Sequence, residues 1–196
     1  MLKRLLLLLG PSGVGKTTLI DEIVRIDQAF SPVTAFTTRP PRPGDRYRTC
    51  VSDHEFKELE QTETLLALNN IYGYRYGTAK RTLLDILQRS FAPIMDCPLA
   101  KLHTVEQAFP GQVFRVYVRP PSYEVLWNRL QDGRDPENER FQAACKELSA
   151  VQGGTYDKHI DLRIVNTEGT AAHTAGSIIE ALVGRGPLPA ATSSRA

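Results

Sequence analysis

Eight consecutive residues, Gly10-Pro11-Ser12-Gly13-Val14-Gly15-Lys16-Thr17, satisfy the spacing GxxxxGK[ST] in full. Each residue type has a task in holding phosphate. Glycines let the backbone curl so that successive N–H groups converge on an anion. A helix starting at the end of the loop turns its positive dipole end toward the same point. Lys16 has the reach to bridge β- and γ-phosphates, and the Thr17 hydroxyl can ligate Mg2+. An apolar run before the loop and a helical pattern after it supply the strand–loop–helix context that the motif requires.

A second cluster, Thr37-Thr38-Arg39-Pro40-Pro41-Arg42-Pro43-Gly44, sets two guanidinium groups three positions apart on a chain stiffened by proline. Arginine meets phosphate with a planar fork, so this segment suits a second anionic group, although a solvated basic turn has the same composition. The phosphate loop alone does not choose between hydrolysis, signalling and transfer. No DxxG switch, NKxD base reader or LSGGQ signature occurs. That disfavours GTPases and ABC-type ATPases and leaves small-molecule transfer.

The elements that must position these groups follow from periodicity. Leu5–Leu9 is an unbroken apolar run, the pattern of a strand buried on both faces. Further strands are expected at 33–36, 65–68, 92–95, 113–118 and 162–165. Helices are expected at 18–26, 53–59, 78–89, 122–130, 139–151 and 171–182. Strands alternating with helices predict a parallel sheet covered on both faces.

Taken in order, Gly10–Thr17, TTRPPRPG, Tyr72-Gly-Tyr-Arg-Tyr76-Gly-Thr78, Arg119-Pro-Pro-Ser-Tyr-Glu with Arg129-Leu130, and Ile164-Val165-Asn166 resemble the guanylate kinase family over nearly the whole chain. The resemblance implies a three-layer α/β P-loop fold of the nucleoside-monophosphate-kinase kind. It implies one domain over 1–185, an acceptor-binding subdomain near 36–82, a short lid near 130–142, and a flexible tail at 186–196. It implies ATP and Mg2+, with transfer of the γ-phosphoryl group to a phosphate-bearing small molecule. Gly10, Pro11, Ser12, Gly13, Val14, Gly15, Lys16, Thr17, Thr18 and Asn166 would hold ATP, with Asn166 near the adenine and Thr17 on the metal. Arg39, Arg42, Tyr76, Thr78 and Asp96 would hold the acceptor. Lys16, Arg39, Arg129, Arg140 and Asp96 would carry catalysis, the two lid arginines by neutralising charge and Asp96 from a place near Mg2+. No general base is demanded, since a phosphate oxygen is already a nucleophile.

The departures from the family are as informative. Its guanine readers are polar, yet Ala35, Ala67 and Pro98 stand at three of the four expected positions and only Thr78 remains. Losing a carboxylate reader costs roughly 2–4 kcal/mol of discrimination. The stretch 45–51 is shorter than usual where an aromatic phosphate contact is expected, which leaves Tyr47 as the candidate. The lid stretch, with Arg129, Arg134 and Arg140, is shorter too. Leu65-Leu-Ala-Leu68 and the short loop are similar to a sister branch, the ribose 1,5-bisphosphate phosphokinases, whose acceptor carries no base. Arg42 fits that branch less well. A base-free acceptor is therefore favoured, with GMP as the alternative and a non-catalytic interaction module as a second one. The intact loop argues against the module.

Composition sets the remaining bounds. The chain has 196 residues, 41% of them hydrophobic, with 24 basic against 22 acidic side chains. A net charge of +2 gives no bulk electrostatic case for nucleic acid or a membrane surface. Cys50, Cys97 and Cys145 form no CxxC, pointing to a reducing cytoplasmic setting. The four histidines lack ligand spacing, and Trp127 is expected in the core. Monomer and homodimer stay open.

Overall fold

The structure, a computed structural model, describes residues 5–42, 44–62, 65–71, 73–89, 91–131 and 138–184. Tyr72, Pro43, Arg134, the middle of the expected lid and the expected tail lie outside the described residues.

A five-stranded sheet carries the molecule. Its strands are β1 (Leu5–Leu9), β2 (Phe30–Pro32), β7 (Ala92–Asp96), β8 (Val113–Arg119) and β9 (Leu162–Val165), in the order β2-β7-β1-β8-β9. Every pairing in it is parallel. The five leucines of β1 occupy the centre, and strand alternation divides them. Leu6 and Leu8 join one core with Val14, Leu19, Ile23, Val116 and Ile178. Leu5, Leu7 and Leu9 join the other with Leu83, Met95, Val105 and Tyr117. Each fully buried leucine contributes about 1.5–3 kcal/mol of transfer free energy, so this strand anchors both faces at once.

The first core lies under helices α1 (Lys16–Ile26) and α7 (Ala171–Gly184). The second receives α3 (Lys80–Gln88) and α4 (Leu102–Ala108). The remaining helices are α2 (Asp53–Thr62), α5 (Tyr123–Leu130) and α6 (Glu139–Gln152). Ser122 caps α5, its hydroxyl accepting from the Val125 N–H at 3.1 Å.

A second, mixed sheet stands beside the first, in the order β4-β3-β6-β5. It comprises β3 (Ala35–Thr37), β4 (Arg48–Cys50), β5 (Leu65–Ile71) and β6 (Tyr74–Ala79). The single strand expected at 33–36 is in fact split. Phe30–Pro32 joins the main sheet, and after Val33 and Thr34 the chain crosses over to give Ala35–Thr37 to the second. The helix expected from residue 78 begins at Lys80, because Thr78 and Ala79 pair with Leu66 and Leu65 as strand. Strand β4 and helix α4 had no counterpart in the sequence pattern. Trp127 is half-buried rather than central, meeting Phe141 edge-on at 4.9 Å and joining α5 to α6.

Candidate active site

The two sheets and α6 enclose a cleft of about 870 Å³. Its floor is the phosphate loop. Gly10 (φ 127°) lies so close to β8 that a Cβ there would sit 2.3 Å from the Val118 carbonyl oxygen. Gly15 (φ 90°) precedes α1, and a Cβ there would sit 2.4 Å from the Asn166 side-chain nitrogen. No other residue type fits either place. Pro11, Ser12 and Gly13 line the cleft with them, while Val14 is turned into the core as the loop's anchor.

Lys16 folds back over the loop, its Nζ donating to the Gly10 oxygen at 2.6 Å and the Pro11 oxygen at 2.8 Å. Burial pulls its pKa down, and Asp96 and Glu147 oppose that pull. Thr17 lines the cleft and Thr18 lies beside it in the first turn of α1, both exposed. Asn166 sits behind the loop. Its Nδ2 donates to the Val14 oxygen at 2.8 Å, so the side chain braces the loop.

Two buried polar atoms near each other have no partner among the described residues, the Arg129 Nη1 donor and the Asn166 Oδ1 acceptor. Arg129 Nη2 donates to the Asn166 carbonyl at 3.3 Å. Arg140, buried on α6, donates to Ser12 Oγ at 2.9 Å. Lys16, Thr17, Arg129 and Arg140 all line the cleft beside the loop, three cations and a hydroxyl with room for a phosphate chain. These residues therefore fit a Mg2+-bound nucleoside triphosphate.

The opposite wall belongs to the second sheet. Arg39 is buried and held, its Nη2 reaching both Asp45 oxygens at 2.8 and 2.7 Å while Nη1 donates to the Pro40 oxygen. The Arg42 backbone N–H donates to the same carboxylate at 2.9 Å. Asp45 thus folds the loop that aims both guanidinium groups. Arg42, Tyr76 and Thr78 also line the cleft. Tyr47, the candidate for the expected aromatic contact, lines the cleft with its hydroxyl donating to Asp21 at 2.6 Å, and burial and that carboxylate push its pKa up to about 12.

Asp96, at the end of β7, lies between the two halves. Both of its oxygens accept from Arg48 Nη2, at 2.8 and 2.7 Å. Burial pushes its pKa up, but Arg48 and Lys16 together outweigh burial and hold it below the ordinary carboxylate range.

Arg48, Asn69 and Glu147 line the cleft and were missed from sequence. Glu147 was accessible in principle, since residues 140, 144 and 147 follow helical spacing along one face of α6. Its carboxylate accepts from the Tyr117 hydroxyl at 3.1 Å, and burial raises its pKa. Asn69 depends on a bulge. Ala67 has φ 53° and the β5–β6 register shifts between Leu66 and Asn69, so Leu66 and Ala67 are both buried and Asn69 then faces the cleft.

Comparison with known proteins agrees with this geometry. The family described as guanylate kinase matches residues 2–174. The chain belongs to the guanylate kinase family. Guanylate kinase from Thermobifida fusca is 35% identical over 173 residues, covering 84% of each chain. Guanylate kinase from Gloeobacter violaceus is 34% identical over 178 residues, covering 87% of this chain and 83% of that protein. Among solved structures, guanylate kinase from Anaplasma phagocytophilum superposes with TM-score 0.73 at 21% identity, covering 94% of this chain and 86% of that one. Shikimate kinase from Acinetobacter baumannii shares the fold with TM-score 0.52. This member of the guanylate kinase family is thus an ATP-dependent phosphotransferase with the P-loop kinase architecture. No described helix is long and apolar enough to cross a membrane.

Proposed function

We propose that this kinase moves the γ-phosphoryl group of ATP onto the phosphate of a small acceptor that carries no nucleobase, ribose 1,5-bisphosphate being the compound that fits best. The observation that carries this reading is the base-side wall. Ala35, Ala67, Met95, Cys97 and Pro98 line it with methyl, thioether, thiol and ring groups. A guanine edge there would bury its N1 and N2 donors against atoms that cannot accept, and each buried unmatched donor costs about 1–3 kcal/mol. The Cys97 thiol is itself held neutral, since burial raises its pKa to about 12.

The chain's own groups perform the transfer by placement and charge. Arg39, Arg42 and Tyr76 hold the acceptor phosphate with one oxygen facing the loop. Lys16 leaves the Gly10 and Pro11 carbonyls for the β- and γ-phosphates, and Arg129 and Arg140 neutralise charge as the phosphoryl group passes. Thr17 Oγ1 would hold Mg2+, which when bound would supply further charge neutralisation on the donor. The second sheet serves as the acceptor subdomain, and the segment 130–142 as a lid whose closure excludes water. The free cysteines suit a cytoplasmic setting.

A second reading, GMP as acceptor, is favoured by Thr78 and Arg42 and by the names of the relatives. The test is ADP release with Mg-ATP and a panel of GMP, dGMP, AMP, UMP, CMP and ribose 1,5-bisphosphate. Turnover of the sugar bisphosphate without GMP supports the base-free reading, and turnover of GMP alone overturns it.

A further inference from the structure

The shortened loop that removes the family's aromatic phosphate contact delivers a charged group in its place. Strand β4 pairs with β3 so that Arg48 stands opposite Ala35, and its long side chain passes that methyl into the cleft. There Nη2 grips both oxygens of Asp96 and Nη1 donates to the Tyr47 carbonyl at 2.8 Å. Nε–H has no partner among the described residues, and the side chain keeps 22% of its surface exposed. Tyr76 and Asp45, one a wall of the acceptor-phosphate cradle and the other its organiser, lie within electrostatic reach of the guanidinium. Asp96 also acts electrostatically on Lys16. A pair serving stability alone has no need to stand on the cleft wall between the two phosphate sites.

We propose that Arg48 is a third acceptor-phosphate arginine, aimed by Asp96 at the junction where the phosphoryl group crosses. This deepens the reading of the cleft as an acceptor site and rests on it. Asp96 is then a positioning residue. It holds the fork by one nitrogen and leaves the Nε edge for a phosphate oxygen.

The test uses the full chain loaded with Mg2+ and the β,γ-imido analogue of ATP, into which inorganic phosphate is titrated by calorimetry. Wild type is expected to bind one phosphate, and Arg48→Gln to bind it about 10- to 100-fold more weakly, the effect of losing a charged hydrogen bond. Arg48→Lys keeps the charge and the ion pair with Asp96 but lacks the fork, so it folds as wild type and falls between the two. With the best acceptor of the panel, Arg48→Gln raises the acceptor KM while the ATP KM stays within about twofold. Asp96→Asn lowers kcat more than it weakens phosphate, the sign of misaimed rather than missing charge. Phosphate affinity of Arg48→Gln within about threefold of wild type, or no phosphate binding by wild type, overturns the assignment. Failure of every acceptor in the panel overturns the substrate reading instead, because the phosphate titration needs no acceptor.

Discussion

Gly15 and Asn166 are 151 positions apart in the chain, yet each defines the space of the other. Gly15→Ala adds a Cβ 2.4 Å from Asn166 Nδ2 on a backbone with φ 90°. The left-handed conformation alone costs an L-residue about 1–2 kcal/mol. Relieving the overlap requires the amide to withdraw by roughly 1 Å, which breaks its 2.8 Å bond to the Val14 oxygen and costs about 1–3 kcal/mol more. Asn166→Ala loses the same bond without the strain. The two single losses therefore count one hydrogen bond twice. In the double variant the clash is gone and only the backbone strain and one lost bond remain. Urea unfolding should show the double variant about 1–3 kcal/mol more stable than the sum of the singles predicts. ADP release should follow the same order, with Gly15→Ala down about 100-fold, since the loop that loses its Asn166 brace need shift by only about 1 Å to cost that much. Additivity within about 0.5 kcal/mol would refute the claim that Asn166 props the loop through the space Gly15 leaves open.

Three further outcomes are expected. Lys16→Ala should lower kcat by about 100- to 1000-fold, as loss of a charged donor at the transferring group does, with thermal unfolding little changed; near-normal turnover would remove Lys16 from the transfer. Asp45→Ala leaves the buried Arg39 fork unanswered and the loop 39–45 untied, so melting temperature should fall and acceptor KM should rise about tenfold while ATP affinity holds. Glu147 has its pKa raised by burial, so above the unfolded value of about 4.5 the unfolded chain releases this proton first, and folding loses stability as pH rises toward the folded value. Glu147→Gln should remove that loss, its melting temperature gaining on wild type as pH increases past 4.5; a constant difference across pH would show that folding leaves this carboxyl's pKa unshifted.

Residue type and spacing made the donor half of the site readable. A phosphate loop is local, with strand, turn and helix contiguous in the chain, so Leu5–Leu9 and Gly10–Thr17 carry their own context. Arg39, Arg42, Tyr76 and Thr78 were legible through family resemblance, and the structure gathers them in one cleft. The helix Leu102–Ala108 stayed hidden because it is short and has no side-chain N-cap, although Leu99, Leu102, Val105 and Phe109 hold to a helical stripe.

What only the tertiary structure decided is where the polar groups of the acceptor wall end up. The one strand expected at 33–36 falls across two, Phe30–Pro32 and Ala35–Thr37, which pairing partners from distant sequence assign to different sheets. The bulge at Ala67 breaks the alternation of β5, a shift that strict period-2 reading cannot foresee, and it faces Asn69 into the cleft. Tyr47 and Arg48 are adjacent, and nothing in their order says which serves the site. The partner decides: Asp21 on α1 takes the tyrosine hydroxyl, and Asp96 on β7 takes the arginine. Local sequence fixes what a segment can become, while the direction of a long polar side chain follows the charge waiting for it across the fold.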